Sequence, residues 1–576
     1  MKSTLTLSFL VLMTWSQASA ASSKIARDLQ DRDPNSTVDV IVQFNGAPGE
    51  KQHKKVKDRG GNHKGDLDAV NGALYSLPAA AIEQLADDPD VAYLSADRPV
   101  GASAYEYAPP AINGQIAWQY GWDGKGVGVA VIDSGIDAAH FDLRSGQSSR
   151  VVYAQSFVAG DTSTADPYGH GTHVAGLIGG NGASSTGTFF SATLKGVAPA
   201  VSLINLRVLD KSGQGTDSAV IAALQRAIAL KATYNIRVIN LSLGRPVFES
   251  YTTDPLCQAV EAAWKAGIVV VVAAGNEGRN NTFGTSGYGM IASPGNDPYV
   301  ITVGAMRTMG TAARTDDLVT SYSSKGPSMI DHVVKPDLVA PGNRLGSLLA
   351  NFGRFATTYP DNVIPVSDYV NTSFAFASPS YYKLSGTSMA TAVASGAVAL
   401  LLQKDGSLNP DTVKARLMKT ATKSFPSNST ATDPVTGQMF SSQYDLFTIG
   451  AGYLDIWAAL TNTDAAKKAA LSPTVRYDAK SGNVYLVFGS TAVWGSTAVW
   501  GSTAVWGSTA VWGSTAVWGS TAVWGSSTTQ GFTAVWGSTA VWGSSTSASK
   551  TGSSSLTAST AISSPETINI AIYGDK

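Results

Sequence analysis

The sequence predicts an α/β fold, a parallel sheet with helices on both faces, preceded by a small α+β module of ferredoxin-like type. Three observations lead there. From Gly126 onward, short β-branched runs alternate with helical stretches, the pattern of strands buried on both faces. Ahead of it, a shorter strand and helix pattern ends in a loose segment, residues 101–110, that contains Gly, Ala and Pro. The chain's 576 residues are several times the size of one ordinary domain, so a large core plus accessory segments is expected.

The elements follow in order. Lys2, an apolar run from Leu5 to Met13, and then Ala18, Ser19 and Ala20 have the charged, apolar and small-residue order of a secretory signal, with cleavage expected after Ala20. The run is too short for a bilayer core that needs about 20 residues, so a secreted chain, extracellular or cell-surface associated, with no membrane span is expected. Residues 38–44 (VDVIVQF) read as a strand, 50–64 as a polar Lys-rich stretch, 71–77 as a second strand, 79–86 as a helix stopped by Asp88 and Pro89, and 91–94 as a third strand. The pattern by itself gives this module no function. Beyond Gly126 come the strands VGVAVID and VSLINLRVL, a helix over 218–234, RVINLSL, a helix over 256–266, then IVVVVAAG and YVITVGA. With 41 basic and 42 acidic residues and no long run of one sign, the composition argues against nucleic acid as a partner. Cys257 is the only cysteine, so no intramolecular disulfide forms.

In such sheets the chemistry sits in loops at the strands' carboxyl ends. Asp133 ends VGVAVID, His170 lies in GHGTHVAG, and Ser388 lies in SGTSMATAVASGAVALLL, a glycine turn opening a long small-residue helix. A serine hydroxyl is a poor nucleophile until an imidazole accepts its proton, and the imidazole needs a carboxylate to fix its tautomer and stabilise its charge. Taken singly, an Asp after a strand is ordinarily a turn former and a Ser before a helix an N-cap. His173 is three residues from His170, not the four of a helical metal pair, and no Glu follows His170, so it reads as a structural helix residue.

The blocks DSG, HGTHVAG and GTSMA, in the order Asp, His, Ser, resemble the three active-site blocks of the subtilisin-like serine proteases, and AAGNEG at 273–278 resembles that family's oxyanion-hole segment. The likeness runs from about Gln115 to about Leu460 and includes GKGVGVAVID, KGVAP and KPDLVAPG. It implies a serine endopeptidase acting on protein or peptide substrates through an acyl-enzyme, with Asp133, His170 and Ser388 as triad. It also implies that the Asn276 amide and the Ser388 N–H hold the oxyanion. Ser242, Leu243 and Gly244 would form one edge of the substrate channel and Gly213 to Gly215 the other, holding an extended peptide by main-chain hydrogen bonds. Ala274 and Gly275 would line the pocket for the residue before the scissile bond, where the charge of Glu277 favours basic side chains. No cofactor is expected for the chemistry. A structural calcium is suggested by Asp142 in HFDL, which resembles a family ligand, although the loop after the His170 helix offers mainly backbone and hydroxyl oxygens.

Two departures stand out. Ala392 and Val393 replace the Pro and His that usually follow GTSMAT, a change the first helical turn tolerates. The stretch 343–382 is longer than usual and is expected to form a loop beside the groove. The amino-terminal module resembles an inhibitory prodomain removed by the chain's own Ser388, with a permanent accessory domain as the alternative. The expected division is thus signal 1–20, inhibitory prodomain 21–103, catalytic domain 104–465, connecting segment 466–489, a STAVWG hexapeptide repeat over 490–543, and a Ser-rich tail 544–576. Because six is even, an extended backbone would put every Trp of the repeat on one face with Ala and Ser, and every Thr and Val on the other. Such a ladder fits a solenoid or a sugar- or surface-binding strip, and a low-complexity tail equally. A surface-binding repeat protein carrying a protease-fold domain is therefore the rival reading.

Overall fold

The computed structural model describes residues 24–575 apart from 27, 28, 30–32, 35, 98–104, 283, 371–377, 479–482 and 488–564. The expected signal (1–20) and the hexapeptide repeat (490–543) lie outside the described residues. The chain divides into two compact units, Met1–Ser103 and Ala104–Lys576.

In the first unit the order is β1 (Thr37–Phe44), α1 (Glu50–Lys57), β2 (Asn62–Leu67), β3 (Gly72–Pro78), α2 (Ala81–Ala86) and β4 (Val91–Ala96). The strands form an antiparallel sheet in the order β2-β3-β1-β4, the ferredoxin-like arrangement of two interleaved halves. Val40, Val42 and Phe44 alternate inward along β1 and meet Tyr75, Leu77, Leu85 and Leu94 in one small core. The Lys-rich stretch turns out to hold α1 and β2. Both face solvent, Val56 alone of α1 being buried, so neither carries the apolar period that would reveal it.

The second unit begins its sheet with β5 (Gly128–Asp133), β6 (Val151–Ser156), α3 (His170–Gly179), β7 (Ser202–Arg207), α4 (Asp217–Tyr234) and β8 (Ile236–Leu241). It continues with α5 (Pro255–Lys265), β9 (Val269–Ala273), β10 (Ile301–Arg307), β11 (Leu318–Val319) and β12 (Leu338–Pro341). The eight strands run β11-β10-β9-β8-β5-β7-β6, with β12 also paired to β10, and every pairing is parallel except that of β11. All residues of β5 and β9 are buried, as strands covered on both faces must be. Strand order reverses at β5, and in open α/β sheets the crevice at such a reversal, outside the carboxyl ends, is where ligands bind.

β13 (Leu345–Leu348) and β14 (Tyr381–Leu384) pair antiparallel and lead into α6 (Thr387–Lys404). From Met389 to Leu402 every residue of α6 is buried, so this helix runs through the core, small or apolar all round apart from Thr391 and Ser395, whose hydroxyls donate to the Thr387 carbonyl and to Asn240. Further on, the hairpin β15 (Thr474–Asp478) and β16 (Asn483–Val487) bridges to Val333 through Thr474. The last element is α7 (Pro565–Tyr573), in the stretch expected to be a Ser-rich tail; Ile570 and Ile572 are buried in the main core. Among the described residues no helix is long and apolar enough to cross a membrane.

Candidate active site

Asp133 and His170 meet because β5 ends where α3 begins. The His170 Nδ1–H donates to Asp133 Oδ1 at 2.8 Å, which leaves Nε2 toward the cleft that His170 lines. The Ser134 N–H donates to the same carboxylate oxygen at 2.7 Å. The approach depends on Gly171, since a Cβ there would stand 2.2 Å from the Gly135 carbonyl oxygen and 3.2 Å from Asp133 Cβ. Burial lowers the His170 pKa, but the charge and hydrogen bond of Asp133, with Asp166 behind it, more than offset this and hold it above the usual 6.5.

Asp166 escaped the sequence reading. It is fully buried and accepts from the Gly169 and Thr172 N–H groups, each at 2.7 Å, and from the Ser134 hydroxyl at 2.8 Å. It therefore satisfies the first orphan donors of α3 and ties them to the Asp133 loop. An Asp a few residues ahead of a helix was the available signal. His173, by contrast, is a strut: its Nε2–H lies 3.0 Å from the Leu345 carbonyl and 3.1 Å from that of Tyr382, and burial pushes its pKa down to about 3.

Ser388 stands in the first turn of α6, its hydroxyl donating to the Ser242 carbonyl at 3.1 Å. The Ser242 hydroxyl returns a bond to the Ser388 carbonyl at 2.8 Å and accepts from Asn240 at 2.9 Å. Asn276 is fixed by a residue the sequence reading passed over: the Thr387 N–H and hydroxyl both donate to Asn276 Oδ1, at 2.9 and 3.0 Å. With its oxygen so occupied, the amide has its N–H groups to offer. The Ser388 N–H, in the first helical turn, has no intrahelical acceptor either. His170, Ser388 and Asn276 all line one cleft of about 550 Å³, a size that takes a few peptide side chains.

Ser242, Leu243, Gly244 and Gly275 line the same cleft, whereas Ala274 is buried behind it. Gly213 lies against the Tyr168 ring, which lines the cleft, and Gly215 borders a neighbouring depression with Phe157 and Val208. Glu277 lines the cleft and accepts from Asn280 at 3.2 Å. From the long stretch 343–382, Phe355 reaches the cleft wall. Cys257 is buried, and burial pushes its thiol well up, which makes it a packing residue.

Asp142 does not fit the calcium expectation. Its carboxylate is wholly buried, with the Ser184 N–H on one oxygen at 2.7 Å and the Tyr381 hydroxyl on the other at 2.8 Å. The Arg150 guanidinium donates to the Asp142 carbonyl at 2.5 Å, so donors surround the residue where calcium requires oxygen ligands. Among the described residues, the one group of three His, Cys or carboxylate side chains close enough to share an ion is His53, His63 and Asp66, in the first unit.

Comparison with known proteins agrees with the fold class. The model of the Subtilase family matches residues 124–442. The chain is 40% identical over 308 residues to the serine protease AprX of Bacillus subtilis (strain 168), a match covering 52% of this chain and 62% of that protein. It is 33% identical over 384 residues to subtilisin E of the same strain, covering 65% of this chain and 81% of subtilisin E. To subtilisin DY of Bacillus licheniformis it is 36% identical over 322 residues, 56% of this chain and 93% of that one. With more than half of its residues matched by the family model, the chain belongs to the subtilase family of serine proteases.

Proposed function

We propose that this protease hydrolyses peptide bonds in proteins through Asp133, His170 and Ser388, and that it is secreted as a precursor which its own Ser388 processes. The Ser388 hydroxyl rotates from the Ser242 carbonyl toward His170, which takes its proton at Nε2 as Oγ attacks the scissile carbonyl carbon. Asp133 keeps the Nδ1–H in place and stabilises the imidazolium. The Asn276 amide and the Ser388 N–H donate to the oxyanion, acting where charge develops. Collapse breaks the C–N bond, His170 gives its proton to the leaving amine, and water then attacks the ester by the same steps in reverse. The observation that carries this reading is the 2.8 Å bond from His170 Nδ1 to Asp133, in a cleft shared with Ser388 and an amide whose oxygen is already held by Thr387.

The cleft walls contributed by Leu209, Leu243, Val247 and Ile291 favour apolar substrate side chains, with Glu277 as the one acidic lining group among the described residues. The first unit is read as an inhibitory prodomain because it is compact, precedes the catalytic unit and is followed by a sequence segment containing Gly, Ala and Pro. Cleavage within one chain is first order, independent of protein concentration. Expressing Ser388→Ala in a protease-deficient host tests both parts at once. The expected product digests no casein and keeps the first unit attached. Casein digestion by the variant would remove Ser388 from the mechanism, and an amino terminus near Ser103 or Tyr105 would make processing external.

A further inference from the structure

The segment that follows the undescribed stretch 488–564 returns to the active-site cleft. Ile570 and Ile572 of α7 are buried in the core, while Ile568 and Ala571 line the cleft that holds Ser388 and His170. Just beyond the helix, Asp575 is wholly buried. Its carboxylate accepts from Arg279 at 2.7 Å, from the Ser321 N–H at 2.6 Å and from the Ser321 hydroxyl at 2.7 Å. Asn343 grips its backbone from both sides, accepting its N–H at 2.9 Å and donating to its carbonyl at 3.2 Å. Gly574 allows this, since a Cβ there would stand 2.4 Å from Asn343 Oδ1 and 2.5 Å from the Ser385 hydroxyl.

The segment also holds the nucleophile's turn. The Ser385 N–H donates to the Ala571 carbonyl at 2.8 Å, three residues before Ser388, and Asn362 donates to the Ile572 carbonyl at 2.6 Å. A buried carboxylate paired to a buried guanidinium, with further donors on both oxygens, is a built anchor, because either group alone would be an unpaired buried charge. What it anchors is apolar surface lining the cleft that also holds the reacting groups.

We infer that Ile568 and Ala571 form a substrate-contacting wall of the cleft that selects aliphatic side chains of a peptide, and that Asp575 is the positioning residue that holds this wall and the Ser385 turn. The inference rests on the peptidase reading of the same site. The hexapeptide repeat then stands between two parts of one catalytic unit, as an insertion in the sequence and not a terminal extension.

The test uses the full chain and two readouts. Steady-state kinetics on peptides varied one residue at a time around the scissile bond report the wall, and labelling of Ser388 by a small fluorophosphonate reports the reacting groups. Ile568→Ser is expected to raise KM about tenfold for peptides with an aliphatic side chain at one position and to weaken discrimination against polar residues there. Its kcat and labelling rate should stay within about twofold of the parent. Asp575→Ala is expected to blur the same preference and to lower kcat as well, with Asp575→Asn restoring part of both. Should Asp575→Ala fail to fold, Ile568→Ser decides alone, since Ile568 is only half-buried. An unchanged preference profile in Ile568→Ser, with parent activity intact, overturns the wall alone. A parent that neither labels nor cleaves overturns the peptidase reading, and the wall with it.

Discussion

The Asp133–His170 corner and the Ser388–Asn276 corner rest on the same device, an acceptor held by more than one donor, but draw those donors from different distances along the chain. Around His170 the partners are local: Asp133 is 37 residues away, and Asp166 binds groups 3, 6 and 32 residues from itself. Around Ser388 they are remote, with Asn276 held by Thr387 across 111 positions and the neighbouring turn tied to Asp575, whose partner Arg279 is 296 positions away. The local corner is part of how one helix starts, so damage to it should appear as lost stability and lost activity together. The remote corner joins groups from elements far apart in the chain, and damage there should separate the two.

The sharpest break of that comparison is Asn276→Ala. It should lower kcat by about 10²–10³, a magnitude carried over from subtilisin, while KM and melting temperature change little, because the amide acts mainly in the transition state. A matching fall in melting temperature would mean that the remote corner is structural after all. In the local corner Asp166→Ala orphans two N–H groups and a hydroxyl. A loss of about 3 kcal/mol or more by denaturant titration is expected, together with a fall in kcat as His170 loses its fixed helix start. Unchanged stability there would show that Asp166 is not what holds α3.

Asp142→Ala should cost about 1–3 kcal/mol by leaving the Tyr381 hydroxyl and the Ser184 N–H without an acceptor, and added calcium should not restore it. Restoration by calcium would reinstate a metal at that position. The pH dependence gives the smallest effect. Since His170 is held above 6.5, kcat/KM should fall as pH drops through that raised value, where the imidazole takes up its proton and ceases to be a base. The sign for stability is opposite. The contribution of the charged pair is full below the unfolded value near 6.5 and is lost as pH rises through the raised folded value. Asp133→Asn should move the inflection downward, because burial then acts without its opposing charge.

The same distinction between local and remote explains how much was legible in the sequence. Short runs rich in β-branched and other apolar residues announce β5, β8, β9 and β10, because a strand covered on both faces has few positions for polar side chains; β9 alone of these is apolar throughout, while Arg237 and Asn240 interrupt β8 and Thr302 interrupts β10. RVINLSL runs two residues past the carboxyl end of β8, since Ser242 and Leu243 leave the strand to line the cleft. The triad candidates were visible because each lies inside its own short block. The contacts of Asp166 and Thr387 were not, although Asp166 sits beside such a block and Thr387 inside one, because a polar residue at a motif has no period to mark what it touches. Asp575 was further from view, since nothing local tells that an Asp after a Ser-rich stretch meets an arginine 296 positions earlier.

Covalent labelling is the most direct test of the central claim that Ser388, activated by His170 and Asp133, is the nucleophile. The processed protein is treated with a fluorophosphonate, digested, and the modified peptide identified by mass. A single adduct on Ser388 is expected, formed in step with loss of casein digestion and at least ~100-fold slower in His170→Ala. An adduct on another residue, or full digestion of casein with Ser388 unmodified, would contradict it.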